Sequence, residues 1–552
     1  MLDNKAVLAI IPARGGSKGI PRKNVRFLAD KPLISYSIRN ALASKYIDKV
    51  IVSTDDMEIG HIAEMFGANT LRRPDKLATD KVPLDPVINH AVNVLEKQSK
   101  INYDLVVTLQ ATCPLLSTKT IDNAIEKFLN NDIDTLLSVV DDRHLTWTKK
   151  GGKYIPNYEE RKNRQYLSPN YRETGGIVIT KRKFITNNSR FGKKIDLIEM
   201  LETEAIDIDT EMDWWIAEKL LKRKKIIIRV DGYKKIGLGH IYRTLLLANR
   251  LIDHEFLFVS KSEHNLGVNI IKAHNYPVLT FEKNVELKKI IEQYKPDIVI
   301  NDILDTPEDY IKYLNKRDIF VVNFEDMGEG AKKANLVINA LYTEKYPLNN
   351  HYWGKAYYCL REEFYLLNPK KVSEEVKEIL LTFGGTDSNN YTGRIIKLIN
   401  DLNLDGIKIT IIVGLGYERM DSLKKKIDSF NIDVEIRQNV SDISRYMKKA
   451  DIVITSAGRT VYEIASIGTP TIVLAQNNRE LRHTFACADN GIINLGLGYE
   501  VSDREIKDTL LNLVKDYKLR KKCNYLMLKN DLKFGINNVL NLIFKEHEKW
   551  KG

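Results

Sequence analysis

The stretch IIPARGGSKGIPRKN, residues 10–24, joins the end of an apolar run to a glycine-rich basic loop. The run AVLAII (6–11) has the length and composition of a buried strand. Two adjacent glycines follow, and Arg14, Lys18, Arg22 and Lys23 crowd the loop with positive charge. A strand opening into such a loop starts an α/β domain, with backbone amides able to face an anion. The spacing is neither GxxxxGK[ST] nor GxGxxG, which excludes the P-loop and dinucleotide fingerprints. Arg14 and Lys18 suit the neutralisation of a phosphate chain, and Lys23 a neighbouring phosphate. On its own the loop is read equally well as a basic surface turn.

Outward from that loop, strand-like runs alternate with helical ones. KVIVST, LVVTLQ, TLLSVV and GGIVIT punctuate the first 180 residues, separated by amphipathic stretches such as DPVINHAVNVLEK. This alternation predicts a largely parallel sheet with helices on both faces. Residues 143–173 are polar, aromatic and rich in turn formers, and read as an excursion from the core. The helical EMDWWIAEKLLKRKK then precedes a new strand, IIIRVDG, which places a domain boundary near residue 223. Beyond it the alternation restarts with IIIRV, FLFVS, DIVIND, IFVVNF and NLVINA, pauses near 365, and resumes with EILLTFGG, KITIIVG, VEIRQ, DIVITS and PTIVLA. The expected domains are 1–223, 224–365 and 366–552, the last two a pair of doubly wound lobes with a cleft between them. A length of 552 residues agrees with three or four domains.

Composition excludes several classes. No apolar run approaches a membrane span, and no signal peptide is read at the N-terminus. Four scattered cysteines form no CxxC pair or disulfide framework, so a cytoplasmic, reduced setting is expected. The net charge of +12 raises nucleic-acid binding, but lysines are spread along the whole chain and no nucleic-acid motif is present. The charge is read as a solvated surface with pockets for phosphorylated substrates. Neither nucleic acid nor membrane is an expected partner.

Polar groups gather at strand ends in the first half. VSTDD (52–56) closes one strand, RRPDKLATD (72–80) follows, and TLQATCPLL (108–116) leaves Gln110 and Thr112 beyond another. AIDIDTEMDWWIAE (205–218) sets Asp207 and Asp209 two apart on a strand-like stretch, which would point both carboxylates to one side. Paired carboxylates beside a polyphosphate make a magnesium site; alone, DIDT reads as a strand end whose Asp209 or Thr210 caps the next helix.

With these stretches together, residues 5 to about 222 resemble the CMP-sialic acid synthetases, cytidylyltransferases that activate nonulosonic acids. The family pattern IxARxxSKxxPxKN stands here as IIPARGGSKGIPRKN, and STDD, RRPDKLATD, LQATCPLL, RQYLSPNYRETGG and DIDTEMD match its further motifs. The sequence departs at Ala111, Cys113 and Leu116, and again at Lys81, Val82 and Pro83, where the family carries Ser or Thr side chains that meet the nucleotide. The resemblance implies a Rossmann-like nucleotidyltransferase domain. The 2-hydroxyl of the sugar acid would attack the α-phosphate of CTP, and pyrophosphate would leave. It implies Mg2+ on Asp207 and Asp209, with Asp209 also assisting deprotonation. Arg14, Lys18 and Lys23 would lie on the phosphates, Asp80 in the nucleotide site, Gln110 on sugar, and Arg164 and Arg172 on the substrate carboxylate. It implies a homodimer through the excursion. The alternative reading is a cytidylyltransferase for another sugar acid or a polyol phosphate.

In the second half, RVDGYKKIGLGHIYRTLLLANRL (229–251) follows a strand, with Gly237 and Gly239 allowing close backbone approach. His240 stands at a helix start, where the dipole favours an anion and a neutral imidazole; a helix-capping histidine is the alternative. TFGGTDSNN (382–390), with Gly385, makes another glycine turn. In TSAGRTVYEIASIGTPTIVLAQNNRELRHTF (455–485), turn amides from Ala457 to Thr460 suit a diphosphate and Glu463 the ribose hydroxyls. This half resembles the UDP-sugar hydrolase of pseudaminic acid synthesis, a relative of MurG-type glycosyltransferases with a two-lobed GT-B fold. RxDxxxxIGxGHxxRxxxLA runs from Arg229 to Ala248 and includes Arg243, and GGTDSNN and SAGRTVYE match two further signatures, whereas QNNRE replaces the usual asparagine-glutamine pair. The resemblance implies that His240 activates water against the anomeric carbon of a UDP-sugar. A glycosyltransferase and a non-catalytic nucleotide-sugar binding module stay open beside it.

Overall fold

In the computed structural model, which describes residues 5–233, 238–343, 348–440 and 442–552, the apolar runs form the centres of three sheets. Contacts divide the chain into two units, Met1–Arg223 and Lys224–Gly552.

The sheet of the first unit orders its strands Ile195–Glu199, Thr135–Asp141, Tyr171–Lys181, Leu105–Leu109, Val7–Pro12, Lys49–Thr54 and Asn69–Arg72. Tyr171–Lys181 runs antiparallel to both neighbours, and the other pairs are parallel. A parallel strand is covered on both faces, so its sequence is apolar without alternation: Leu8, Ala9, Ile10 and Ile11 are all fully buried. Ile34, Ile38, Ile121 and Ile125, on the helices Leu33–Leu42 and Thr118–Asn130, cover one face. Ile88, Val92 and Leu95, on Leu84–Ser99, cover the other. After Val7–Pro12 the next two strands add to one side, and Leu105–Leu109 adds to the other. The loops after Val7–Pro12 and Leu105–Leu109 therefore flank a crevice at the reversal point. The excursion begins as an exposed hairpin, Trp147–Lys150 with Lys153–Pro156, and returns through the start of Tyr171–Lys181.

The second unit holds two doubly wound sheets. The first runs Val278–Phe281, Glu255–Lys261, Lys225–Val230, Ile298–Asp302, Phe320–Phe324, Leu336–Asn339, His351–Trp353, with every pair parallel. The second runs Val434–Gln438, Lys408–Val413, Glu378–Thr382, Ile452–Thr455, Thr471–Ala475, Ile493–Leu497, again parallel throughout. This is the expected GT-B-like pair, with one difference in how chain is shared between the lobes. The helix Gly535–Lys551 does not join the second lobe. Its Ile536, Val539 and Ile543 pack with Ile226, Ile298, Phe320 and Leu336 of the first sheet. The chain thus crosses back, and Gly535 makes the crossing possible: a Cβ there would fall 1.9 Å from the Tyr358 carbonyl oxygen. Among the described residues no helix is long and apolar enough to cross a membrane.

The returning helix buries His547 against Phe320 and Trp550, with Nε2 unpartnered. Burial pushes this imidazole down to about 4. The unfolded chain titrates it near 6.5 and so binds the extra proton first, and stability falls as pH drops from about 6.5 toward 4. His547→Phe is expected to make that fall shallower, read as the urea midpoint of the second unit between pH 7 and pH 4.5.

Candidate functional sites at the strand ends

In the first unit the loop after Val7–Pro12 is tied down at several points. Gly15 N–H donates to Asp55 Oδ1 at 3.2 Å, and Asn24 Nδ2 donates to the Arg14 carbonyl at 3.0 Å. Two glycines are required by close approach: a Cβ on Gly15 would lie 2.5 Å from Asp56 Oδ2, and one on Gly19 would lie 2.7 Å from the Asp209 carbonyl oxygen. The loop therefore lies directly against the DIDT segment. Arg14 pairs with Asp80 at 2.5 Å, and Lys18 pairs with the other oxygen of the same carboxylate. The Lys18 hydrogen bond and both cations hold Asp80 below the usual carboxylate range. Lys23, whose side chain is largely buried, reaches Asp209 Oδ1 at 3.2 Å and also donates to the Ile208 carbonyl.

Asp207 and Asp209 do not lie on a strand. Residues 206–209 are extended without a ladder, held by Ile208 N–H donating to the Thr112 carbonyl at 2.9 Å. The side chain of Ile208 is buried, and the two carboxylates on either side of it differ in exposure. Asp209 is 76% exposed. Asp207 is half-buried and its Oδ1 has no hydrogen-bond partner. Burial, with the Asp209 charge adding to it, raises the Asp207 carboxyl. The capping alternative is also realised: Thr210 and Asp213 form a reciprocal capping box on the helix Glu211–Leu221. An unsatisfied oxygen beside a second carboxylate fits a hard divalent cation that keeps most of its ligands as water and phosphate.

Gln110 lies against the incoming antiparallel strand at Gly175, where φ is +70° and a Cβ would meet Gln110 Nε2 at 2.7 Å. Arg164 and Arg172 stand on the excursion with different partners, Glu202 at 3.9 Å and Asp142 at 3.5 Å, and both are exposed. Arg73 was not singled out by sequence. It is buried, donating to the Ser53 carbonyl at 2.6 Å, and burial lowers its pKa.

In the second unit the helix Gly239–Arg250 follows the central strand Lys225–Val230. Lys234 to Gly237 lie outside the described residues, so the expectation for Gly237 has no structural counterpart. Gly239 is needed by close approach: a Cβ would lie 2.8 Å from Arg459 Cδ. His240 Nδ1 is hydrogen-bonded to Asp302 Oδ1, the last residue of the neighbouring strand. Arg243, one turn further, donates from Nε to Asp302 Oδ2 and from Nη2 to Oδ1, both at 2.6 Å, and from Nη1 to Glu325 Oε1 at 2.9 Å. Asp302 and Arg243 are buried, as is Glu325, whose Oε2 lacks a partner. Burial alone would raise Asp302, but Arg243 and His240 outweigh it and the carboxyl sits far below its ordinary value. Burial raises Glu325.

The second lobe contributes its own strand-end loops. Gly385 packs where a Cβ on Gly414 would overlap it at 2.5 Å. Asp387 accepts from Tyr391 and Thr392 N–H at 2.9 and 2.8 Å, and from Gln476 Nε2 at 3.0 Å, tying the turn to the end of the strand Thr471–Ala475. Thr460 opens the helix Thr460–Ile467. Glu463 is not free to receive ribose hydroxyls as it stands: Arg361 grips it from Nε at 2.7 Å and Nη2 at 3.1 Å. Asp302, Glu325, Arg361 and Arg459 escaped the sequence reading. For Asp302 the signal was present, since a carboxylate closing the apolar run DIVIND repeats the pattern of RVDG.

The family model described as Cytidylyltransferase matches residues 8–185, and that of the Glycosyltransferase family 28 C-terminal domain matches residues 379–538. The pseudaminic acid cytidylyltransferase of Campylobacter jejuni is 35% identical over 223 residues, 39% of this chain and 96% of that protein. The CMP-N,N'-diacetyllegionaminic acid synthase of Legionella pneumophila is 34% identical over 228 residues, 39% of this chain and 96% of that protein. An uncharacterized protein of Methanocaldococcus jannaschii is 30% identical over 272 residues, and the match spans 46% of this chain and 56% of that relative's length.

The buried charges give opposite expectations for two aspartates. Asp207→Asn removes a desolvated carboxylate with one unpartnered oxygen and should leave the thermal midpoint of the first unit unchanged or higher. Asp302→Ala takes two of the three hydrogen bonds of buried Arg243, leaving it to Glu325 alone, and should cost the second unit about 3–5 kcal/mol in urea unfolding.

Proposed function

Because its first unit makes this chain a member of the cytidylyltransferase family, we propose that this unit transfers CMP from CTP to a nonulosonic acid. The observation that carries the reading is the contact of the basic loop with the DIDT segment, where Lys23 meets Asp209. The 2-hydroxyl oxygen of the sugar acid forms the new bond to the α-phosphorus, and the bond to the bridging oxygen of the β-phosphate breaks. Pyrophosphate leaves with that electron pair. Arg14 and Lys18 exchange their shared partner Asp80 for phosphate oxygens, and Lys23 keeps Asp209 in place beside the attacking hydroxyl. Asp209 takes the hydroxyl proton. Asp207 and Asp209 are the residues that would hold magnesium, which supplies charge neutralisation to the triphosphate when bound. Gln110 contacts the sugar, and Arg164 and Arg172 receive its carboxylate. The exposed excursion, with Trp147, Tyr154, Ile155 and Tyr166 at its surface, is the face through which two copies would pair. The substrates include pseudaminic-type and legionaminic-type acids, after the relatives with that activity.

The second unit, on this reading, hydrolyses a UDP-linked amino sugar. Its carrying observation is the His240–Asp302 pair at the C-terminal strand ends, where a doubly wound sheet binds ligand. Water adds to the anomeric carbon as the bond to the phosphate oxygen breaks. UDP departs with the electron pair, and His240 takes the proton of the water. The match to the glycosyltransferase family 28 model favours a second reading, in which a sugar hydroxyl replaces water. Both units would work in the cytoplasm, where CTP and UDP-sugars are found.

Incubation with CTP, magnesium and separate sugar acids should form a CMP-sugar and pyrophosphate. Lys23→Met should lower kcat by roughly 100-fold or more. An undiminished Lys23→Met rate would remove the first-unit mechanism. A UDP-2,4-diacetamido sugar without acceptor should release UDP, and His240→Ala should lower that release by roughly 1,000-fold, to a residual rate. Release only on adding an acceptor would establish the transferase instead.

A further inference from the structure

His240, as a base, has two ring nitrogens, and only one of them can take a proton from a substrate. Nδ1 is already hydrogen-bonded to Asp302. A carboxylate there accepts the Nδ1 hydrogen, which leaves the lone pair on Nε2. The carboxylate is itself held on both oxygens by Arg243, through two bonds of 2.6 Å in the forked geometry that fixes a planar group. Arg243 is set by its third bond, to Glu325, and by the Phe324 ring 4.9 Å from its guanidinium carbon. His240 and Arg243 share one helix, so the helix presents both the base and the clamp on the base's partner. Burial leaves Asp302 no solvent to turn toward.

We infer that Asp302, pinned by Arg243, is the positioning residue of His240, fixing its tautomer so that Nε2 is the atom that accepts the proton. This rests on the proposed role of His240 in the second unit. A plain counter-ion to Arg243 would need only the two guanidinium contacts; the additional bond to the imidazole distinguishes the arrangement.

The test uses the full chain with Asp302→Asn, His240→Ala and the double variant, each checked for an unchanged thermal midpoint. With the UDP-2,4-diacetamido sugar, Asp302→Asn should lower kcat by roughly 100- to 10,000-fold while KM stays within about threefold. In the His240→Ala background the same change should cost nothing more. A second readout is independent of turnover: carbethoxylation of His240 by diethylpyrocarbonate, followed by mass spectrometry. His240 should react at least about tenfold more slowly in Asp302→Asn, with exposed His61 as the unchanged internal reference. Where Asp302→Asn loses the fold, Arg243→Lys carries the same readouts, since it keeps the charge and gives up the fork. Equal carbethoxylation rates of His240 in the wild type and the variant overturn the inference, as does an added loss in the double variant. A wild type that releases no UDP, but whose His240 still loses reactivity in Asp302→Asn, removes the hydrolase reading and keeps the positioning role.

Discussion

A parallel strand cannot turn back on its neighbour through a tight hairpin, so each crossover must climb over a face of the sheet. That constraint governs most of this chain. It demands helices on both faces, makes the central strands apolar along their whole length, and leaves a crevice wherever the direction of winding reverses. All three sheets have such a reversal, flanked by the strand pairs Val7–Pro12 with Leu105–Leu109, Lys225–Val230 with Ile298–Asp302, and Glu378–Thr382 with Ile452–Thr455. Asp302 closes one of those strands, and Arg14, Gln110 and Asp387 stand just beyond others. Function and topology therefore share one cause: the only places where backbone and charged side chains can meet a ligand without breaking a ladder are the ends of the ladders.

The charges placed there are managed in contrasting ways. In the first unit, Asp207 is left with an unsatisfied oxygen and a like charge nearby, a local cost that a cation would relieve. In the second, Asp302 is saturated by Arg243 and His240, so the same kind of side chain is charged and held still. Arg361 and Glu463 form a third arrangement, a bidentate pair in which the acid is occupied by its own chain. A ribose reaching Glu463 would have to share it with that guanidinium. Burying a pair of charges contributes little net stability, whereas separating one costs a great deal, so such pairs fix geometry more than they strengthen the fold.

Central strands were legible in the sequence because both their faces are covered. KVIVST is strand Lys49–Thr54 residue for residue, and EILLTFGG opens with the central strand Glu378–Thr382. Within the three large sheets, the strands that escaped are Asn69–Arg72, Ile195–Glu199, Val278–Phe281, His351–Trp353 and Ile493–Leu497, all at sheet edges. An edge strand is short and half-exposed, so NTLR or HYW carries no apolar run to find. The basic loop, DIDT and the histidine were legible because each combines glycine or charge with a preceding strand. Arg361 and Arg459 were not, because nothing local marks an arginine whose partners lie 102 and 100 residues away. The strand-like reading of Asp207 and Asp209 failed for a related reason: alternation alone does not make a ladder, and here Ile208 N–H donates to the Thr112 carbonyl while Asp209 N–H turns to the Asp213 side chain.

The first unit is one continuous stretch of chain, so a ribosome releases everything its core needs before the second unit begins. The first lobe of the second unit has no such privilege. One face of its sheet is covered by Gly535–Lys551, which emerges roughly 200 residues after that sheet's last strand, about ten to forty seconds at ordinary rates of synthesis. Until then Ile226, Ile298, Phe320 and Leu336 lack their Ile536, Val539 and Ile543 partners. The two lobes must mature together, which makes the chain asymmetric in time: a finished first unit hangs from the ribosome while the second is still waiting for the helix Gly535–Lys551.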